Sequence, residues 1–256
     1  MNVDRIFVDG GTRAPSGDTG CHLLGNRQAL LVDPAARHER IDERIEDVAH
    51  IVVTHHHGDH VGAVAHYANV SDATVWCRYG REDDFVHATG VEPDRRFREG
   101  TTISTDGGPI MVRDTPGHAP EHVAFSTEDA LVVGDLAVKE GSVVVGAPHG
   151  DMRSYICSLR RVWVMNPERL LPAHGPIIED SRSTCERLIR HRLERETRVL
   201  TAVETGAMDV DSILDKAYDK DLTGVRDLAR ATIHAHLDKL AHEGRINWNG
   251  SRATSS

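Results

Sequence analysis

Thr54-His55-His56-His57-Gly58-Asp59-His60 follows directly on the apolar run Ile51-Val52-Val53, and the reading of this stretch decides the fold. The run is short and β-branched, which predicts a buried strand. In an extended loop, side-chain direction repeats every two residues, so His55 and His57 project to one side. Asp59 and His60 then open a helix and can turn toward a neighbouring point. Three imidazoles and a carboxylate within six residues are the ligand types that zinc and similar borderline ions prefer. His56, between two of them, is expected to point away, toward solvent or supporting groups.

Three further residues share one form, a metal-capable side chain placed by Gly or Pro at a strand end. They are His118 in Thr115-Pro116-Gly117-His118, Asp135 in Val132-Val133-Gly134-Asp135, and His174 in Leu171-Pro172-Ala173-His174-Gly175. The chain up to residue 175 reads as short apolar strands broken by Gly, Pro and Asp: 5–8, 29–33, 50–54, 73–77, 110–113, 122–125 and 130–133. Helices are expected over 36–47, 59–68 and 151–165, the last capped by Asp151 with Tyr155, Ile156, Leu159, Val162 and Val164 along one side. After Gly175-Pro176 the pattern changes. Residues 181–203 carry apolar side chains every three or four positions, with Leu188, Ile189 and Leu193 expected in the core. Helices over 210–217 and 224–242 and a strand over 245–248 follow, an order resembling a winged-helix module, with the boundary near 176–181.

Composition narrows the function classes. The 256 residues are 39% hydrophobic and 27% charged, an ordinary globular balance with chain enough for one large domain and an appendage. No apolar run approaches the ~18 residues of a membrane span and no basic-then-apolar leader opens the chain, so a soluble, cytoplasmic protein is expected. Thirty basic against forty acidic residues leave −10, which disfavours whole-surface attraction to phosphate backbones. Residues after 180 carry thirteen basic and twelve acidic side chains, so the deficit lies before them. Only four of the basic residues are Lys, while 24 residues are Asp, as suits a GC-rich genome or a salty cytoplasm. Four scattered cysteines without a Cys-x-x-Cys pair suit reduced thiols. Seventeen histidines are the unusual feature.

Taken in order, Asp33 in Leu31-Val32-Asp33-Pro34, the 55–60 motif, His118, Asp135 and His174 resemble the five motifs of the metallo-beta-lactamase superfamily over about residues 20–178. The resemblance implies an α/β fold, a four-layer αββα sandwich, with a metal site at one edge between the sheets. It implies that His55, His57 and His118 hold one metal, that Asp59, His60 and His174 hold a second, and that Asp135 bridges both. The expected cofactors are two Zn2+, with iron or manganese as alternatives. Asp135 points toward glyoxalase II-like hydrolases, since true beta-lactamases usually lack it, and His57 disfavours a flavodiiron site, which tends to carry Glu there. His149-Gly150-Asp151-Met152, Tyr155, Ser158-Leu159, His191-Arg192 and Arg195-Glu196 further resemble the beta-lactamase-like protein 2 subgroup, implying a catalytic domain over 1–178 and a winged-helix-like domain over 179–256.

On that resemblance the chain is expected to be a metal-dependent hydrolase. Two ions about 3.5–4 Å apart share a bridging hydroxide that cleaves an ester, thioester or phosphodiester. Asp59 is expected to take up the proton and deliver it to the leaving group, and Asp33 to orient a ligand imidazole. His122 reads as a strand-end residue with a proton relay as alternative, and His149 is a candidate for the pocket lining. The expected partners are a small ester or thioester, or single-stranded RNA cut in the manner described for some of that subgroup, with a homodimer also compatible. Two other classes compete: a mononuclear iron oxygenase of the persulfide dioxygenase kind, and a binding protein with a vestigial site. The winged-helix-like tail argues against the first and the full ligand set against the second.

Overall fold

Ile51 and Val52 point to opposite faces of the strand they share, and the core divides along the same line. A computed structural model describes residues 1–256. Its first sheet holds β1 (Val3–Val8), β2 (Thr19–Leu24), β3 (Ala29–Val32), β4 (Val48–Val52), β5 (Thr74–Arg78) and β6 (Arg95–Phe97), in that spatial order. The first three strands are antiparallel and β3 to β6 run parallel. Leu23, Leu31 and Ile51 face one side, where they pack with Ile41, Val61, Val64, Tyr67 and Phe85. Those residues belong to α1 (Glu39–Asp42), α2 (Gly58–Val61), α3 (Val64–Val70) and α4 (Glu82–Thr89). Leu24, Leu30, Val32 and Val52 face the other side. There they meet Ile110, Val112, Val123, Phe125, Val132 and Leu171 of a second sheet. With both faces covered, the parallel strands read as continuous apolar runs, and each fully buried Leu, Ile or Phe contributes about 1.5–3 kcal/mol.

The second sheet is built from β7 (Thr102–Thr105), β8 (Gly108–Asp114), β9 (Val123–Ser126), β10 (Ala130–Gly134) and β11 (Arg169–Pro172), in the order β11-β10-β9-β8-β7. Only β10 and β11 are parallel. The helix expected over 59–68 is broken into α2 and α3, because the Ala63 N–H donates to Pro34 O and not to its own helix. The helix expected over 36–47 shrinks to α1 and a single 3-10 turn, Ile45–Asp47.

Contacts divide the chain into two compact units. Met1–Thr115, Glu121–Gly141 and Asn166–Ser181 form the first, which contains both sheets; Pro116–Pro120, Ser142–Met165 and Arg182–Ser256 form the second. The second unit contains α5 (Met152–Met165), α6 (Ser181–Glu204), α7 (Val210–Ala217), α8 (Arg226–His242) and a hairpin of β12 (Ile246–Trp248) and β13 (Ala253–Ser255). Val199, Ile213, Leu214, Ile233, Leu237, Leu240 and Ile246 share its core. Asp209 caps α7 by accepting from Ser212 N at 2.9 Å, an interaction of about 1 kcal/mol. Two expectations fail on helix phase. Val164 is 68% exposed on α5, and Leu193 is 38% exposed on α6, because the inward stripe of α6 runs through Leu188, Arg192, Glu196 and Val199. Cys21, Cys77 and Cys185 are buried and all four thiols are free. No helix is long and apolar enough to cross a membrane.

Candidate metal centre

Parallel strands end their C-termini on one side of a sheet, and the loops that leave there carry the chemistry. In the first unit, Asp33 follows β3, residues 54–60 follow β4, Asp135 follows β10 and His174 follows β11. Asp33 is fully buried with a left-handed backbone, φ 51°, a conformation that Asp tolerates better than most residues. Its Oδ1 accepts from Thr54 N at 2.6 Å and its Oδ2 from Thr54 Oγ1 at 2.8 Å, which fixes the start of the histidine loop. Gly134 has φ +46°, and a Cβ there would lie 2.5 Å from Thr54 Oγ1 and 2.9 Å from His122 Nε2, so only glycine lets Asp135 follow so closely.

The outer hydrogen bonds assign the imidazole tautomers. Thr54 Oγ1 gives its hydrogen to Asp33, so toward His55 Nδ1, 3.1 Å away, it can only accept. The lone pair of His55 therefore lies on Nε2, 3.0 Å from His57 Nδ1. His60 Nδ1 donates to Asp33 Oδ2 at 3.0 Å, and His174 Nδ1 donates to Asp18 O at 2.9 Å. Their Nε2 atoms lie 3.8 Å and 3.3 Å from Asp135 Oδ1, and His174 Nε2 is 3.9 Å from Asp59 Oδ2. The ligand atoms of His55, His60 and Asp135 all fall within 4.8 Å of one another, as do those of Asp59, His60 and His174.

This arrangement fits a cation. His60 Nε2 is buried without a hydrogen-bond partner. Burial lowers the His60 pKa, yet Asp33, Asp135 and Asp59 outweigh it and raise the value to about 9. A fully buried imidazole that binds a proton this firmly reports excess negative charge around it. A divalent ion on the converging nitrogens and carboxylates would neutralise that excess, and imidazole with carboxylate suits zinc or iron.

His118, on the loop between β8 and β9, belongs to the second unit. Its Nδ1 donates to Val144 O at 2.6 Å, which puts the lone pair on Nε2. The His56 side chain is largely covered and packs on the core residue Phe85, 5.6 Å between ring centroids, and its backbone N–H donates to the buried Glu121 at 3.1 Å. His149 is exposed.

Glu121 and His22 escaped the sequence reading, and His122 was expected as a strand-end residue or a proton relay. His122 Nε2 accepts from the Asp135 N–H at 3.1 Å while its Nδ1 donates to Thr115 Oγ1 at 2.9 Å, so it positions Asp135 instead of relaying protons. Glu121 anchors the histidine loop, as described. His22 on β2 is fully buried, and burial, then Arg5 and His60, push its pKa down to about 3. The signals for His122 and Glu121 were their places beside the predicted strand 122–125; β2 gave none, because all six of its residues are buried.

The model of the metallo-beta-lactamase superfamily matches residues 18–174. A beta-lactamase-like protein 2 homolog of Drosophila melanogaster is 30% identical over 214 residues, covering 78% of this chain and 71% of the relative. An atrochrysone carboxyl ACP thioesterase of Passalora fulva is 26% identical over 255 residues, covering 90% of this chain and 72% of the relative. The crystal structure of a metallo-beta-lactamase family protein from Thermus thermophilus superposes with a TM-score of 0.82 at 20% identity, covering 99% of this chain and 98% of that one.

Proposed function

Because the chain belongs to the metallo-beta-lactamase superfamily, we propose that it is a two-metal hydrolase whose substrate is a small ester or, more specifically, a thioester. In this reading His55, His57 and His118 would hold one cation and Asp59, His60 and His174 the other, with Asp135 as a further ligand of the centre. Zinc is the ion the donor set suits best. Two divalent cations held there would polarise the oxygen of the scissile bond and lower the pKa of a coordinated water from ~15.7 toward 7.

The chain's own groups do the rest. Asp33, Asp18 O and Thr54 hold three imidazoles in the tautomer that offers Nε2. Asp59 is the accessible carboxylate, with 23% of its side chain exposed against 11% for Asp135 and none for Asp33. It is therefore the group that can take a proton from incoming water and pass it to the leaving group, while Asp135 stays fixed by its N–H on His122. The observation that carries the reading is His60, a buried imidazole anchored on Asp33 and facing Asp135 with no partner at Nε2.

The thioester preference draws on the name of the Passalora relative and on charge. A net −10 and a near-neutral C-terminal stretch supply no basic groove for a polyanion. We assign a winged-helix-like domain to residues 179–256 and a catalytic domain to 1–178, although 116–120 and 142–165 cluster with the C-terminal helices, and free thiols suit a cytoplasmic setting. Metal is to be quantified on protein never exposed to chelator. Parallel assays then use a chromogenic thioester, bis-p-nitrophenyl phosphate and labelled single-stranded RNA. About two metal ions per chain and thioester turnover lost on chelation are expected. A metal-free protein, or one iron per chain with oxygen consumption, would sink the proposal. Phosphodiester or RNA cleavage alone would replace its substrate class.

A further inference from the structure

The second unit contains a buried guanidinium that the proposed chemistry leaves unexplained. Arg192 is 3% exposed on the inward stripe of α6. Its Nη2 donates to Val143 O, and its guanidinium carbon lies 5.2 Å from the centroid of the Tyr155 ring. Its contacts are thus a carbonyl and an aromatic face, although burying a cation without a carboxylate is costly. Such a cost is tolerated where the geometry it fixes matters.

What Arg192 fixes is the segment 142–150. Val143 O is its acceptor, and the next carbonyl, Val144 O, receives the Nδ1–H of His118 at 2.6 Å. The segment is tied at other points as well. Ser142 Oγ lies 3.5 Å from His191 Nε2, and Ala147 N donates to Ala231 O of α8 at 3.1 Å. The loop of His118 is clamped to the same body. Gly117 O accepts from Asp151 N at 2.8 Å, and a Cβ on Gly117 (φ +137°) would lie 2.3 Å from the Tyr155 backbone. The carbonyl that dictates the His118 tautomer is therefore one residue from the carbonyl that α6 holds.

We infer that Arg192 is a positioning residue for His118, holding the 143–144 backbone so that the imidazole presents Nε2. The inference rests on the reading of His118 as a cation ligand. It gives α6 a task in the proposed chemistry: setting the tautomer of one ligand through the 143–144 backbone.

The test compares the full-length wild type with Arg192→Met, Gly146→Ala and Arg190→Met. A Cβ at position 146 would lie 2.7 Å from Ala231 Cβ and so displaces the same segment from α8, whereas Arg190 is exposed on α6 and serves as control. Cation affinity is measured by competition with a chromophoric chelator, and the visible spectrum is recorded on cobalt-loaded protein. Arg192→Met and Gly146→Ala are each expected to weaken one of the two cation sites by about ten-fold or more, the scale of losing a partner of a ligand, and to alter the cobalt bands. kcat should fall with KM near its original value, and Arg190→Met should match wild type throughout. Folded Arg192→Met with unchanged affinities and spectrum overturns the inference. So does failure of both variants to fold by circular dichroism, because Arg192 is then a stability residue. A wild type that takes up no cation shows itself before any variant is compared, and it removes the functional reading together with this one.

Discussion

Two buried clusters in this molecule use the same residue types and end in opposite electrostatic states. In the first unit, Asp33, Asp59 and Asp135 face the imidazoles of His60 and His174. In the second, Glu196 accepts from Lys239 Nζ at 2.8 Å, with Arg245 Nη1 at 3.5 Å and His236 Nδ1 at 3.6 Å. Burial raises the Glu196 pKa, but the neighbouring His236 and the hydrogen bond from Lys239 override it and hold the carboxyl below its usual range. His60 is driven up by its carboxylates, whereas His236 is driven down, by burial first. The second cluster carries its cation in a lysine. In the first, the carboxylates face imidazoles, and they hold the pKa of the buried His60 up. Titratable residues mark a candidate site only when their charge is left for a ligand to balance.

Removing the shared carboxylate should break the comparison most severely. Asp135→Ala is expected to lower metal content toward zero and to cut kcat/KM by roughly three orders of magnitude or more, the scale of losing metal activation of water. Metal retained at two ions per chain would show that Asp135 is dispensable. The matching change in the second cluster is Glu196→Ala, which takes the buried carboxylate from Lys239, 9% exposed, and leaves it only the half-exposed Glu243 at 2.9 Å. It should cost about 1–3 kcal/mol in denaturant unfolding and leave metal content per chain unchanged. Replacing both partners, Glu196→Leu with Lys239→Met, should recover most of that loss, because the pair balances itself. A double variant as unstable as the single one would mean that the cluster does more than neutralise its own charge.

A smaller effect separates holding a ligand from being one. Asp33→Asn keeps the left-handed backbone tolerable and preserves an oxygen for Thr54. It removes the charge that anchors His60 Nδ1, 3.0 Å away. Cation affinity should drop by about 10–100-fold in a competition titration, with the melting temperature of the metal-free protein little changed. Wild-type affinity in that variant would mean that His60 needs no charged partner.

The residues that converge around His60 were more legible in the sequence than the groups that orient them, for a physical reason. Ligand types at short spacing, as in 55–60, and residues placed by Gly134 or Pro172 at strand ends leave a local signature. The groups that orient them do not. His174 rests on a backbone carbonyl, Asp18 O, and any residue could supply one. His122 reaches the Asp135 N–H thirteen residues away, and no spacing rule encodes that pairing. The fold divides similarly. The bounds of α7 were readable because Asp209 caps a clean apolar stripe. β2 was not, since a strand buried on both faces with Gly20 and His22 in it shows neither alternation nor a β-branched run. α4 was missed because its first turn, Glu82-Asp83-Asp84, is acidic and looks like a loop although it suits a helix N-terminus.

The least of the expected effects is a difference in the sign of pH dependence. His191 in the second unit is pushed down to about 4, by burial and then by Arg192 and Arg195. Between pH 4 and 6.5 its unfolded form binds a proton that the folded form refuses, so stability falls as pH falls through that window. His236 is lowered as well and adds in the same direction. His60 in chelated protein behaves inversely. With a folded value near 9, it contributes stability that is complete below pH 6.5 and disappears as pH rises toward 9. Melting temperatures of chelated protein should therefore drop by a few degrees at each end of a pH 4–9 scan. His191→Gln should soften the acid limb in part, since His22 and His236 also resist protonation in the folded state, and leave the alkaline limb unchanged. Reloading with zinc should abolish the alkaline limb, because an imidazole occupied by metal has no proton to lose. An alkaline limb that survives zinc would place the excess negative charge somewhere other than around His60.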